Sequence, residues 1–363
     1  MSLERLKYLS IMTTSKCTSG CVYCPYPYSW ATKNPGYMED DLFEKIIKDV
    51  AETYPDFHGY YTFQNGNEPT ADPKFIERIR FIYKYLPHVQ LNFPTNANLL
   101  WPDKGRQLID IMYENDSDQI TKAGMRILVH FSGIDKKSWQ KTMRTKETLL
   151  VSYEKTIENI RSLLKYNTQK GLKLQDNRQP HETVLNYKHE GVTGTELAHF
   201  NRHGTPHALH IGIGAFVGSE GHEIEFYTNE EHQEYVNELF GDCGGFLAYS
   251  MRFHNRAGDL KLMDQFIKDA AVRKIDKDNP FRCARFFDGK ALHVLHNGEV
   301  TICCNDWQRI TAIGDLSKQT ITEFFNSKEY KNLMDMGHGR IESPADFICK
   351  RCTDFQAMED MPD

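Results

Sequence analysis

Apolar and polar positions along the first 260 residues fall into two alternating periods. Short apolar runs, "LKYLSIMTT", "HGYYTFQNG", "HVQLNFPTN" and "GMRILVHFS", have the length of strands. Between them stand segments with helical spacing. "DLFEKIIKDV" sets Leu42, Phe43, Ile46, Ile47 and Val50 on one face, and "KFIERIRFIYKYL" does the same after the second strand. "YEKTIENIRSLLKY" puts Ile157, Ile160, Leu163 and Leu164 together. Residues 168–205 are polar and rich in His, Asn and Gly, with no clear period. "HALHIGIGAFV" then reads as a buried strand, "NEEHQEYVNELF" as a helix and "GFLAYSMRFH" as a last strand. Six β/α units of this kind predict parallel strands joined by crossover helices. From about residue 261 the pattern changes. "ALHVLHNGEVTICC" reads as a β-hairpin turning at Asn297-Gly298, followed by the helix "TITEFFNSKEYKNLM" and a cysteine-bearing tail. The pattern therefore predicts two domains, 1–260 and 261–363, with no internal repeat or low-complexity tract.

Composition narrows the class without choosing a function. The 363 residues are 40% hydrophobic and 26% charged, as in a soluble globular chain. No apolar run approaches the roughly 18 residues of a membrane span, and "MSLERLKYLSIM" lacks the blocks of a signal peptide. A cytoplasmic protein without a membrane partner is the expectation. The net charge of −6 argues against a large nucleic-acid footprint. Nine cysteines in such a chain point to metal or redox chemistry rather than structural disulfides. Three lie at 17–24 and five at 283–352, with Cys243 alone between.

The first group, "KCTSGCVYCPY", places Cys17, Cys21 and Cys24 on one loop behind the first strand, with no fourth thiol. A closed zinc or iron–sulfur site takes four protein ligands. Three thiolates can hold three corners of a cubane and leave the fourth iron open, as catalytic zinc sites leave a position open. The spacing by itself also fits a zinc knuckle that borrows a distant ligand.

Cys17-Xaa3-Cys21-Xaa2-Cys24, with Tyr23 before the last cysteine, resembles the signature of the radical S-adenosylmethionine enzymes. The resemblance implies a partial (β/α)6 TIM-like barrel and an open iron that chelates S-adenosylmethionine, cleaved by one electron to methionine and a 5′-deoxyadenosyl radical. Three further stretches extend it. "GNEP", Gly66 to Pro69, resembles the family's Gly-Gly-Glu-Pro motif, with Asn67 in place of the second glycine; Gly66, Asn67 and Glu68 are then expected at the cofactor's ammonium. "PTNANLL", with Asn96, resembles a Thr-Asn-Gly-Xaa-Leu-Leu stretch, Ala97 replacing glycine. "HFSGIDKKSWQKTMR" supplies Ser132 and Arg144, which by resemblance contact the cofactor's ribose and carboxylate, while Tyr23 lies against the adenine. Taken singly, Glu68 also fits a helix-start carboxylate, Ser132 a turn and Arg144 a solvated helix face. The resemblance covers most of the chain, although 145–245 match only as strands and helices.

At the other end, Cys283, Cys303, Cys304, Cys349 and Cys352 offer one thiol more than a closed site needs. Adjacent side chains on a strand point to opposite faces, so one of Cys303 and Cys304 should face the site. The region resembles the family's SPASM/twitch extension, a small α+β unit in which a hairpin and a helix wrap an auxiliary [4Fe–4S] cluster. On "NGEVTIC" that implies Cys283, Cys303, Cys349 and Cys352 as ligands, in the shorter twitch form with one cluster. A zinc ribbon is the alternative for the same cysteines.

"SMRFHNRAGDL" brings Arg252, His254, Asn255 and Arg256 to the barrel mouth, to hold a substrate or pin the domain junction. The sequence offers no convincing hydrogen donor for an epimerisation. Cys243 falls before the last strand, at the end of the barrel away from the chemistry. The expectation is a radical oxidoreductase that abstracts hydrogen from an unactivated C–H bond and dehydrogenates its substrate, with epimerisation as the other branch. A sugar or cyclitol substrate is favoured, since the first strand begins near the start of the sequence and leaves no leader-binding domain. A peptide maturase is the alternative, and a non-catalytic zinc or electron-transfer module the alternative of another class. The chemistry also calls for a reducing partner such as flavodoxin or ferredoxin.

Overall fold

The structure is a computed structural model and describes residues 6–115, 125–174, 211–216, 227–251, 259 and 291–352. Among the described residues one mixed sheet of nine strands runs through the chain in the order β6-β5-β4-β3-β2-β1-β7-β8-β9. The strands are β1 Tyr8–Ile11, β2 Tyr60–Thr62, β3 Gln90–Thr95, β4 Met125–His130, β5 Ile211–Phe216, β6 Leu247–Met251, β7 Ala291–Val294, β8 Glu299–Thr301 and β9 Gly314–Asp315. β1 to β6 pair in parallel, each with the next, as the alternation of strand and helix requires.

Helices cover this sheet. They are α1 Trp30–Lys33, α2 Asp40–Thr53, α3 Phe75–Tyr85, α4 Pro102–Asn115, α5 Lys136–Met143, α6 Tyr153–Leu174, α7 Asn229–Phe240, α8 Ile321–Asn326, α9 Lys328–Gly337 and α10 Ile348–Arg351. α2 shows how the pattern becomes packing. Asp40 and Asp41 occupy its first turn, where carboxylates favour the helix dipole, and Phe43, Ile46, Ile47 and Val50 are its buried stripe. The core they join holds Leu9, Ile11, Phe63, Phe75, Phe93, Ile127 and Phe131, with edge-on aromatic contacts from Phe63 to Phe75 and from Phe75 to Phe93.

Two features differ from the sequence reading. The hairpin is not a separate layer: β7 pairs in parallel with β1, from Tyr8 beside Ala291 to Ile11 beside Val294. β1 would otherwise expose an unpaired edge, and the hairpin covers it. The proposed boundary near 260 lies outside the described residues. The single helix expected over "TITEFFNSKEYKNLM" is two, because Ser327 leaves α8 in an extended conformation, φ −62° and ψ 154°, and accepts from the Tyr330 N–H to cap α9. The hairpin turn itself lies where Asn297-Gly298 placed it, with Gly298 at φ +91°, a left-handed conformation that suits glycine.

Candidate active site and auxiliary cysteine cluster

The Cys17–Cys24 loop leaves the carboxyl end of β1, the end at which parallel β/α barrels carry their chemistry. Neighbouring elements hold it through backbone and side-chain bonds. The Gly20 and Val22 N–H groups donate to the carbonyls of Arg144 and Thr142 at the end of α5 (3.3 and 3.0 Å). Arg144 caps that helix at φ +46°, a conformation rare outside glycine, which turns the chain back along the loop. Tyr26 Oη accepts from the Cys17 N–H at 2.9 Å.

Inside the loop Thr18 and Ser19 carry a buried polar network that the sequence reading did not single out. Asn96 Nδ2 donates to Thr18 Oγ1 (3.0 Å), Ser19 Oγ (3.2 Å) and Cys17 Sγ (3.7 Å). Asn98 Nδ2 repeats the contacts to Thr18 and Ser19 at 2.9 and 3.1 Å, and its Oδ1 accepts from Thr156 Oγ1 at 2.8 Å. The signal was present in the two small hydroxyl residues within the loop and the two asparagines behind β3. Nothing local to either stretch showed that they would meet.

The three thiols lie within electrostatic reach of one another. Burial, Glu68 and the neighbouring thiols push Cys17 well above its usual range, and burial with Cys24 raises Cys21 to about 12. The Ser19 N–H also points at Cys17 Sγ, 3.4 Å away. Among the described residues no three His, Cys, Asp or Glu side chains are gathered as for one metal ion. Three thiols on one loop form a soft donor set of the kind that holds an iron–sulfur cluster. Loading it would displace the thiol protons.

The expected cofactor contacts divide. Tyr23 is 4% exposed, and its Oη lies 3.0 Å from Ser132 Oγ and donates to Met143 Sδ at 2.9 Å. Ser132 also meets the Tyr227 hydroxyl. A tyrosine, a serine and a methionine from three elements thus close one side of the loop. Glu68 is 2% exposed, with its carboxylate already fully engaged. Oε1 accepts from the Thr70 N–H (3.0 Å), Thr70 Oγ1 (2.6 Å) and Thr95 Oγ1 (2.7 Å), while Oε2 accepts from the Asn96 N–H (2.8 Å). It caps the turn Pro69–Ala71 as the helix-start reading had it. It also ties that turn to the end of β3. Burial nonetheless raises its pKa, because the four donors offset only part of the lost hydration.

Gly66 sits at φ +86°, and a Cβ there would lie 2.8 Å from the indole of Trp307. Trp307 belongs to the carboxyl-terminal segment, and its carbonyl accepts from the Trp30 N–H at 2.9 Å. Asn67 Oδ1 accepts from the Asn65 N–H at 2.9 Å. Arg144 has an exposed side chain and reaches the loop through its backbone.

At the carboxyl-terminal group, Cys303, Cys304, Cys349 and Cys352 come together. The charges of the other three, after burial, raise Cys303 well above its usual range. β8 ends at Thr301, so Cys303 and Cys304 lie beyond the strand and the alternation of faces does not apply to them. Asn305 donates its N–H to Cys303 Sγ at 3.2 Å. Cys283, like Arg252, His254, Asn255 and Arg256, lies outside the described residues. Cys243 is buried ahead of β6, away from the barrel mouth.

Residues 283–353 match the family model of SPASM, an iron–sulfur cluster-binding domain. That bears out an iron–sulfur domain of the SPASM/twitch type over the zinc alternative. No curated protein sequence matches the chain. Among solved structures it is similar to BtrN in complex with AdoMet and 2-DOIA, at 13% identity over 96% of this chain and 93% of that one, with a TM-score of 0.51. It is also similar to Streptococcus suis SuiB bound to the precursor peptide SuiA, at 11% identity over 91% of this chain and 67% of that one, TM-score 0.52. At such identities the likeness is one of fold. The chain has the α/β fold of the radical S-adenosylmethionine enzymes and carries the SPASM iron–sulfur domain over residues 283–353.

Proposed function

We propose that the protein is a radical S-adenosylmethionine oxidoreductase that dehydrogenates a hydroxyl-bearing small molecule of the sugar or cyclitol type. One observation carries this reading: Cys17, Cys21 and Cys24 share one half-buried loop at the carboxyl end of the parallel strands. A [4Fe–4S] cluster on such a loop supplies S-adenosylmethionine with the electron that yields methionine and a 5′-deoxyadenosyl radical. The chain's own residues hold, orient and dry the site. Cys17, Cys21 and Cys24 are the cluster ligands, and Asn96 and Asn98 fix the loop through Thr18 and Ser19. Tyr23, Ser132 and Tyr227 form the wall for the adenosyl part, and Gly66, Asn67 and Arg144 stand at the amino-acid part. Glu68 acts through Thr70, Thr95 and Asn96 as a positioning residue. Cys283, Cys303, Cys349 and Cys352 would hold the auxiliary cluster, which would supply an acceptor for the second electron of a dehydrogenation.

Two observations support dehydrogenation over epimerisation. Cys243 is buried at the far end of the barrel, and Cys304 sits among the auxiliary cysteines. The cyclitol-type substrate is supported by the likeness to BtrN, which extends over nearly all of both chains. The similarity to SuiB with its precursor peptide favours a second reading, a maturase acting on a peptide. Among the described residues no helix is long and apolar enough to cross a membrane, in keeping with the cytoplasmic location proposed here.

The test is anaerobic reconstitution with iron and sulfide, then incubation with S-adenosylmethionine and dithionite. About eight irons per chain and formation of 5′-deoxyadenosine are expected. Cys24→Ala should abolish the product, and Cys349→Ala should keep some cleavage but lose turnover. Full iron loading without 5′-deoxyadenosine would leave a binding module instead. Deuterium transfer from a labelled polyol or peptide into 5′-deoxyadenosine separates the two substrate classes.

A further inference from the structure

We infer that the surface formed by α5 and the loop after it, residues 136–150, is the docking face for a small acidic electron-transfer protein. The inference rests on the reading that Cys17, Cys21 and Cys24 hold a redox cluster, and it assigns where that cluster receives its electron.

Three observations converge on this segment. Its charge runs against that of the chain: residues 136–150 contain five Lys or Arg and a single Glu, while the whole protein is at −6, and of the five Lys136 is paired with Glu154 at 2.6 Å. The lone Glu147 is occupied locally, accepting from Gln140 Nε2 at 3.0 Å and from the Tyr153 N–H at 3.2 Å. Lys137 and Lys146 are exposed. The segment also carries the most exposed large hydrophobic side chains among the described residues, Leu149 at 92% and Leu150 at 61%. Two exposed leucines on a cation-rich segment have the composition of a transient interface, apolar contact combined with charge.

Position supplies the third observation. The segment is joined to the cysteine loop by four bonds: Gly20 N–H to the Arg144 carbonyl, Val22 N–H to the Thr142 carbonyl, Lys146 N–H to the Thr18 carbonyl, and Ser19 Oγ to Thr145 Oγ1 at 2.8 Å. Leu149 and Leu150 follow directly on the Thr142–Lys146 stretch that is bonded to the loop carrying Cys17, Cys21 and Cys24, themselves only half-buried. An electron carrier has reason to dock where the cluster is nearest to solvent, and an acidic one is drawn to this face by long-range attraction. The step moves one electron: the reduced carrier is oxidised by one, the cluster is reduced by one, and no bond is made or broken.

The test uses the full chain with its clusters loaded and a reduced flavodoxin as donor, comparing wild type with Lys137→Glu/Lys146→Glu. Both side chains point to solvent, and neither belongs to the cofactor site. Cluster reduction is followed by stopped-flow absorbance at low and high salt, and again with dithionite. The expected result is a drop of about tenfold or more in the flavodoxin rate at low salt, with the salt dependence largely lost. Dithionite reduction and the thermal midpoint should be unchanged. Leu149→Ser/Leu150→Ser should raise the donor's dissociation rate. An unchanged flavodoxin rate, or equal losses with flavodoxin and dithionite, would overturn the inference, as would failure of flavodoxin to bind wild type. Should no cluster assemble, the functional reading fails separately. Calorimetry of oxidised flavodoxin on the apoprotein then decides the docking face, since binding must be present in wild type and lost in the charge-reversed variant. Competition by an acidic peptide that displaces no flavodoxin would place the peptide elsewhere and leave the face to the carrier; displacement without any carrier-driven reduction would refute it.

Discussion

Glu68→Gln separates a positioning role from a purely ligand-binding one, because the two predict different behaviour before any cofactor is present. The wild-type carboxylate accepts four bonds in a site closed to water, three on Oε1 and one on Oε2. Glutamine keeps the shape but turns one acceptor into a donor. Its amide oxygen goes to the three-donor side, and the Nε2 then faces the Asn96 N–H, donor against donor. The bond lost is one to a charged group, worth about 1.5–3 kcal/mol, and a buried N–H left unpaired costs about 1–3 kcal/mol more. Weaker bonds from Thr70 and Thr95 to a neutral oxygen add to the loss, while removing a buried charge offsets part of it, as the raised pKa of Glu68 indicates. A net destabilisation of about 3 kcal/mol follows, near 6 °C in the thermal midpoint at about 2 °C per kcal/mol for a long chain. The assay is thermal unfolding of the cluster-free protein, with Thr95→Val as a partner variant that loses a single bond and should fall by less. If Glu68 served only to bind the cofactor, the cluster-free Gln variant would melt with wild type. That result would refute the assignment.

Two further predictions follow from single positions. Gly66→Ala forces a side chain into a left-handed backbone at φ +86° and against the Trp307 ring 2.8 Å away; a loss of about 2–4 kcal/mol is expected in denaturant unfolding, and adding Trp307→Ala should return the crowding share but not the backbone share. His232, fully buried with Nε2 2.9 Å from the Phe131 carbonyl, is pushed down to about 4 by burial. Its contribution is complete above about pH 6.5 and is lost as pH falls toward 4, by at most about 3 kcal/mol, since the unfolded chain takes up a proton that the folded one refuses. His232→Gln should flatten that acid limb; an unaltered pH profile would show that His232 is not its source.

How much could be read in advance depends on the range of the forces involved. The strands β1 to β6 and the helices α2, α3, α6 and α7 were legible because a hydrophobic stripe is a local property, set by residues three and four or two apart, whereas α1, α4 and α5 were not read from the sequence. The same holds for the Asn297-Gly298 turn, which needs a left-handed glycine whatever surrounds it. Ser327 broke a helix that hydrophobic spacing would have continued, because a hydroxyl that caps the next helix competes with the ladder of the present one. The three-cysteine spacing pointed to a metal or cluster site, since ligand geometry constrains short separations tightly, and the family resemblance supplied the rest.

The partners of those residues came from elsewhere in the chain. The meeting of Thr18 and Ser19 with Asn96 and Asn98, the closure of Glu68 by Thr70, Thr95 and Asn96, and the approach of Trp307 to Gly66 join segments as much as 241 positions apart. No local pattern encodes such pairings, because they exist once parallel β1, β2 and β3 bring their carboxyl ends side by side and β7 lays the hairpin along β1. Chain order thus dictates which elements form and which ligands are available, and the sheet's register dictates which polar groups saturate one another and which remain to meet a cofactor.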